Sequence, residues 1–287
     1  MAALSARLPD GRLHLQHGPI DLVIEAWGAA VQIESAYAQA WARFQDILEG
    51  LVCELELLRS PAGEAHPLAR GPVARRMVAA VWPHRAVFVT PMAAVAGAVA
   101  DEMLQAMLCG NSLVKAYVND GGDIAAHVQP GERLDAGIVN DPRRPRVDSS
   151  LAIDAPCGIA TSGWRGRSQS LGIADAVTVL ARNAAAADAA ATLIANAVNA
   201  EHPAICRVPA RAVQADSDLG ERLVTVQVGP LPEAVVERAL RGGCETATRM
   251  AGAGLIEAAY LALQGRTAVC APPRLESAAN AFTLPRS

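Results

Sequence analysis

The stretch CGIATSGWRGRSQSLGIADAVTVLA, residues 157–181, decides how this chain is to be read. It sets a polar, glycine-rich turn directly ahead of an apolar run that carries one carboxylate, Asp175. The segment up to Ser162 reads as short and extended, and Gly163 and Gly166 let the backbone turn sharply or approach a ligand closely. A helix is expected to begin near Gly172, capped by Ser168 or Ser170. Asp175 then falls in its first turn, where the helix dipole favours negative charge. That placement is a sufficient structural account of Asp175. A functional account stands beside it. Asp175 binds a cation or a polar ligand group, while the amides of TSGWRGRS (161–168) and the guanidinium groups of Arg165 and Arg167 receive an anion. The pattern alone leaves both accounts open.

Upstream, SLVKAYVNDGGDIAAHV (112–128) reads as a strand, an abrupt turn and a second strand. Asn119, Gly121, Gly122 and Asp123 make a competent hairpin turn, and they also offer exposed amides beside carboxylates for a ligand's polar edge. ERLDAGIV (132–139) and DSSLAIDAP (148–156) supply two further strands, with PRRPR (142–146) as a solvated loop between them. GRLHLQHGPIDLVIEAWG (11–28) alternates as a β-hairpin. Residues 29–60 carry apolar residues at Ile33, Tyr37, Trp41, Phe44, Ile47, Leu48 and Leu51, the spacing of one long amphipathic helix. Residues 61–72 form a loop, a short helix spans 73–81, and Thr90–Pro91 open a helix that GN (110–111) closes. Ala94, Gly97, Ala98 and Asp101 line one face of it, small enough for another backbone to approach. Downstream, 184–199 is an alanine-rich helix, a helix from about Pro232 to Gln264 follows, and 266–272 is the last strand before a loose tail.

A chain of 287 residues with 52% apolar and 19% charged residues is globular and long enough to bury a core. Net charge is −4 and basic residues are scattered, which argues against a nucleic-acid partner. No run approaches the ~20 apolar residues of a membrane span. The N-terminus has no secretory pattern, so a cytoplasmic protein is expected. Six dispersed cysteines make no CxxC pair and are expected as buried free thiols. The six histidines show no ligand spacing, and no nucleophile–base pair stands out.

Taken together, NDGGDI (119–124), ATSG (160–163) and IADAVTVLA (173–181) resemble the ApbE superfamily, which includes FAD:protein FMN transferases. PMAAVAGAVADEM (91–103) sits where that family has a glycine-containing helix ending at an aspartate. The nearer similarity is to an uncharacterised ApbE-like branch, and it spans most of residues 10–270. The resemblance implies an α+β fold, a mostly antiparallel sheet flanked by helices, in a single domain over 1–287 with its core at about 10–272. It also implies one ligand site from Asn119, Gly121, Gly122, Asp123, Thr161, Ser162, Gly163, Arg165, Arg167 and Asp175. The ligand would be a flavin or pterin nucleotide, with Mg2+ on Asp175.

Two departures accompany the resemblance. The transferases hold FAD with a histidine-containing IDP-TG element between the TSG turn and the aspartate helix, and only nine residues separate Gly163 from Ile173. Their Mg2+-binding helix also carries a hydroxyl four residues beyond its aspartate, whereas counting from Asp175 reaches Val179 and Thr178 falls one residue early. Standard FMN transfer is therefore not expected. Two functions remain open. One is action on a small nucleotide-, flavin- or pterin-like molecule, for which the resemblance implies a setting of tetrahydromethanopterin-linked C1 metabolism. The other is a non-catalytic binding or assembly protein that keeps the cleft. A homo-oligomer is compatible with either.

Overall fold

The computed structural model describes residues 2–270 and 282–283. Strands β1 (Leu4–Arg7), β2 (Leu13–His17) and β3 (Ile20–Gly28) come first. Helices α1 (Ala30–Phe44), α2 (Ile47–Cys53), α3 (Leu55–Arg59), α4 (Pro72–Val81) and α5 (Val95–Leu108) follow. Next are β4 (Leu113–Asp120), β5 (Asp123–Val128), β6 (Leu134–Ile138), β7 (Ser149–Ile153), β8 (Cys157–Ser162) and β9 (Ala176–Ala181). The chain continues through α6 (Ala184–Ala197), β10 (Ile205–Pro209), α7 (Ala210–Val213) and β11 (Leu223–Val228). It ends in α8 (Glu233–Gly252), β12 (Ala258–Leu263), β13 (Arg266–Cys270) and β14 (Phe282–Thr283). The expected loose tail lies largely outside the described residues.

The chain divides into two compact units. The first comprises residues 1–134, 153–160 and 182–189, and the second comprises 135–152, 161–181 and 190–287. In the first unit, β1 to β5 and the start of β8 form an antiparallel sheet in the order β1-β2-β3-β4-β5-β8. Alternation builds it: Ile20, Leu22, Ile24 and Ala26 of β3 are buried while the residues between them are partly exposed. Helices α1 and α5 cover the buried side and α4 packs on α5, adding Phe44, Met77, Met103 and Met107 to the core. In the second unit, β9, β12 and β13 pair antiparallel with α8 packed on β12 and β13. A β10–β11 ribbon and a β14-β7-β6 sheet complete it. This is the α+β, mainly antiparallel class expected from the sequence.

Four expectations are corrected. Residues 173–181 are not helical, because Val177, Val179 and Leu180 form a strand buried on both faces, where β-branched side chains are favoured. The long 29–60 helix is three helices, interrupted at Gln45–Asp46 and again at Glu54. The 232–264 helix stops at Gly252, and Gly254 in the left-handed region (φ 70°) turns the chain into strand β12. All six cysteines are free, but only Cys157 and Cys270 are buried. No helix among the described residues is long and apolar enough to cross a membrane.

Candidate functional site

The first unit holds the Asn119–Asp123 residues singled out in the sequence. Gly121 and Gly122 connect β4 to β5 with φ of 65° and 117°, conformations that side chains other than glycine rarely adopt. The Asn119 side-chain oxygen accepts the Gly122 N–H at 2.8 Å and locks the turn. Asp120 is buried, and Asp123 opens β5.

A residue that the sequence analysis passed over as scaffold lies in the same unit: Asp188, in the alanine-rich helix α6. Its Oδ2 accepts the Gly97 N–H at 3.1 Å, and Ala96 N–H also donates to it. Asp188 keeps partial exposure, yet burial pushes its carboxyl well above the usual carboxylate range, and the charges of Asp123 and then Asp120 push it further. A carboxylate in such company favours a cation, a proton or a ligand's donor group.

Close backbone approach holds Asp188 there. A Cβ on Gly97 would stand 2.2 Å from the Ala184 carbonyl oxygen, and one on Gly158 would stand 1.9 Å from the Asn183 carbonyl carbon. The small face of α5 is thus a seat for the start of α6, as its composition suggested. Asp101 accepts the N–H groups of Ala184 and Ala185, both at 2.9 Å, and Asn183 caps Ala186 at 2.9 Å. Burial raises the Asp101 carboxyl despite those two amides. The first turn of α6 is therefore satisfied by protein, and the acceptor presented beyond it is Asp188.

The second unit holds the remaining predicted residues. Thr161 shares a 2.8 Å hydroxyl hydrogen bond with buried Thr178, and Ser162 ends β8. Gly163 is required by packing, since a Cβ there would lie 2.5 Å from the Asp175 carbonyl oxygen. Asp175 is not at a helix terminus. Its Oδ1 accepts Arg165 Nε at 2.5 Å and Trp164 Nε1 at 3.2 Å, and its Oδ2 accepts the Gln264 N–H at 2.5 Å. Both oxygens accept hydrogen bonds, and these contacts fix Arg165 and the turn. Arg165 also reaches Asp141 at 3.3 Å, while Arg167 stays exposed. Among the described residues no three His, Cys, Asp or Glu side chains group closely enough to hold a metal ion.

A family model described as AbpE bacteria matches residues 5–269. The chain belongs to this family. Its membership places it in the ApbE-like superfamily that the motifs suggested. A UPF0280 protein of Methanopyrus kandleri is 35% identical over 164 residues, covering 54% of this chain and 64% of the relative. A UPF0280 protein of Methanothrix thermoacetophila is 42% identical over 114 residues, covering 38% and 46%. The chain thus matches less than two thirds of the length of these curated relatives. Among solved structures, the Pseudomonas stutzeri flavinyl transferase ApbE aligns over 96% of both chains at 14% identity with a TM-score of 0.46. The ApbE protein of Thermotoga maritima aligns over 96% of this chain and 98% of its own at 12% identity, also with a TM-score of 0.46.

Helix α6 carries an aspartate, whereas residues 176–181 after Asp175 form a strand. Ala187-Asp188-Ala189-Ala190-Ala191-Thr192 places a hydroxyl four residues beyond an aspartate, one turn along the same helix face. Because Ala176–Ala181 is a strand, helical four-residue spacing does not relate Asp175 to Val179. Residues 164–187, between Gly163 and Asp188, contain neither histidine nor proline.

Proposed function

We propose that this protein binds a small nucleotide-, flavin- or pterin-like molecule, with Asp188 as its main polar anchor. The observation that carries this reading is Asp188, a residue of intermediate exposure whose carboxylate accepts two backbone amides and whose charged form is disfavoured by burial and by the charges of Asp123 and Asp120. A ligand donor group or a bound cation relieves that repulsion. Gly121, Gly122 and Asp123 supply the neighbouring turn, whose amides and carboxylate suit a ligand's polar edge. The chemistry of Asp188 fits Mg2+, but one carboxylate leaves most of the cation's octahedral shell to ligand phosphates and water. When bound, Mg2+ would neutralise phosphate charge; Asp188 would orient it, and Asp101 would hold α6 in place.

Family membership and the Asp188–Thr192 spacing support the reading. The setting we propose is the cytoplasm and tetrahydromethanopterin-linked C1 metabolism, with a small-molecule partner and neither nucleic acid nor membrane. A second reading, a binding or assembly protein without chemistry, is favoured by residues 164–187, which lack the histidine of the FAD-holding element.

Mass spectrometry of small molecules released from purified wild-type protein and from Asp188→Asn tests the proposal. A nucleotide-, flavin- or pterin-like compound released by the wild type and depleted in the variant is expected. Equal recovery from both removes Asp188 from the site. Turnover of the released compound by the wild type would decide against the binding-only reading.

A further inference from the structure

We infer that the second unit carries its own pocket for a small organic phosphate with an apolar or aromatic body. A cavity of about 300 Å3 lies against the 164–169 turn and β11, at the lower end of the size range of small-molecule sites. Arg143, Arg165 and Arg167 line it together with Trp164. The guanidinium carbons of Arg143 and Arg165 lie 5.5 and 4.6 Å from the Trp164 ring centroid. Asp175 and Asp141 hold Arg165 at 2.5 and 3.3 Å, and Asp141 holds Arg143 at 3.3 Å. Three guanidinium groups thus face two carboxylates. Arg167 makes no hydrogen bond or ion pair among the described residues.

Arg143 and Arg165 are held in place by carboxylates, whereas exposed Arg167 has no carboxylate partner among the described residues. A tetrahedral dianion uses several donors at once, which suits these planar guanidinium groups. Val226, 40% exposed at the cavity, and the Trp164 indole add apolar surface that inorganic phosphate would not use. This pocket rests on residues of the second unit alone and does not depend on the Asp188 reading.

Calorimetric titration of the full chain with phenyl phosphate, inorganic phosphate and phenol tests it. Phenyl phosphate should bind at least about tenfold more tightly than either fragment. Arg167→Ala, at an exposed position that leaves the fold intact, should weaken it at least about tenfold, the loss of one charge-assisted contact. Asp188→Asn should leave phenyl phosphate affinity unchanged. Equal affinity for phenyl phosphate and inorganic phosphate, or unchanged binding by Arg167→Ala, overturns the proposal. Loss of phenyl phosphate binding in a folded Asp188→Asn variant also overturns it, because the pocket would then not be separate.

Discussion

Asp175 and Asp188 differ in what their oxygens already hold. Arg165, Trp164 and the Gln264 N–H occupy both oxygens of Asp175. In Asp175→Asn the new amide NH2 would meet a donor on one side or the other. That variant should lose about 1.5–3 kcal/mol of stability, the worth of hydrogen bonds to a charged group. Urea unfolding reads it directly, and an unchanged midpoint would contradict the contact scheme. Gly158 makes a second test at this scale. A methyl there meets the backbone of Asn183 and Ala184, which cannot yield as a side-chain tip can. Gly158→Ala should cost about 1–3 kcal/mol or more and shift α6. Asp175 drew attention in the sequence because polar, glycine-rich residues surround it. Asp188 was hidden by the alanines around it, and its one legible signal was the threonine four positions on.

At the scale of elements, the sequence showed the hairpins well because their turns are chemically marked, as at Gly18 and at Gly121–Gly122. The errors fell where periodicity cannot choose. The apolar run 176–181 and the Ala/Leu-rich segment 258–263 are buried on both faces, so neither alternates as a half-exposed strand does. The stop at Gly252–Gly254 was present as AGAG, a helix-ending signal. Inside α8, Gly243 would bring a Cβ to 2.3 Å from Val198 Cγ2 and 2.6 Å from Leu261 Cδ2. Gly243→Ala sets a helix-propensity gain of about 1 kcal/mol against an overpacking cost of about 1–3 kcal/mol. Thermal unfolding should show net destabilisation; a higher Tm would mean that the helix is not seated as described.

Three helices of the first unit meet at Glu102 of α5, which bonds Arg43 of α1 at 2.9 Å and Arg76 of α4 at 3.0 Å. Burial alone would raise the Glu102 carboxyl, but the two arginines outweigh it and hold the carboxyl below its usual 4.5. A folded value below the unfolded one means stability that is full above about pH 4.5 and lost as pH falls through the folded value. Glu102→Gln should therefore cost about 1.5–3 kcal/mol at pH 7 and flatten the loss of stability on the acid side. Urea midpoints measured from pH 3 to pH 7 check both parts.

Over the whole molecule, fold class was readable because antiparallel strands announce themselves by alternation and family motifs mark their turns. Division into two compact units was not, since the chain passes from one to the other inside β8 and α6, with no linker to show it. The central claim is that Asp188 anchors a nucleotide-like ligand. Calorimetric titration of FAD with Mg2+ into wild-type protein and Asp188→Asn tests it most directly. The account predicts measurable binding to the wild type and at least about tenfold weaker binding to the variant, one lost charge-assisted contact. Equal affinity in the two folded proteins would contradict it.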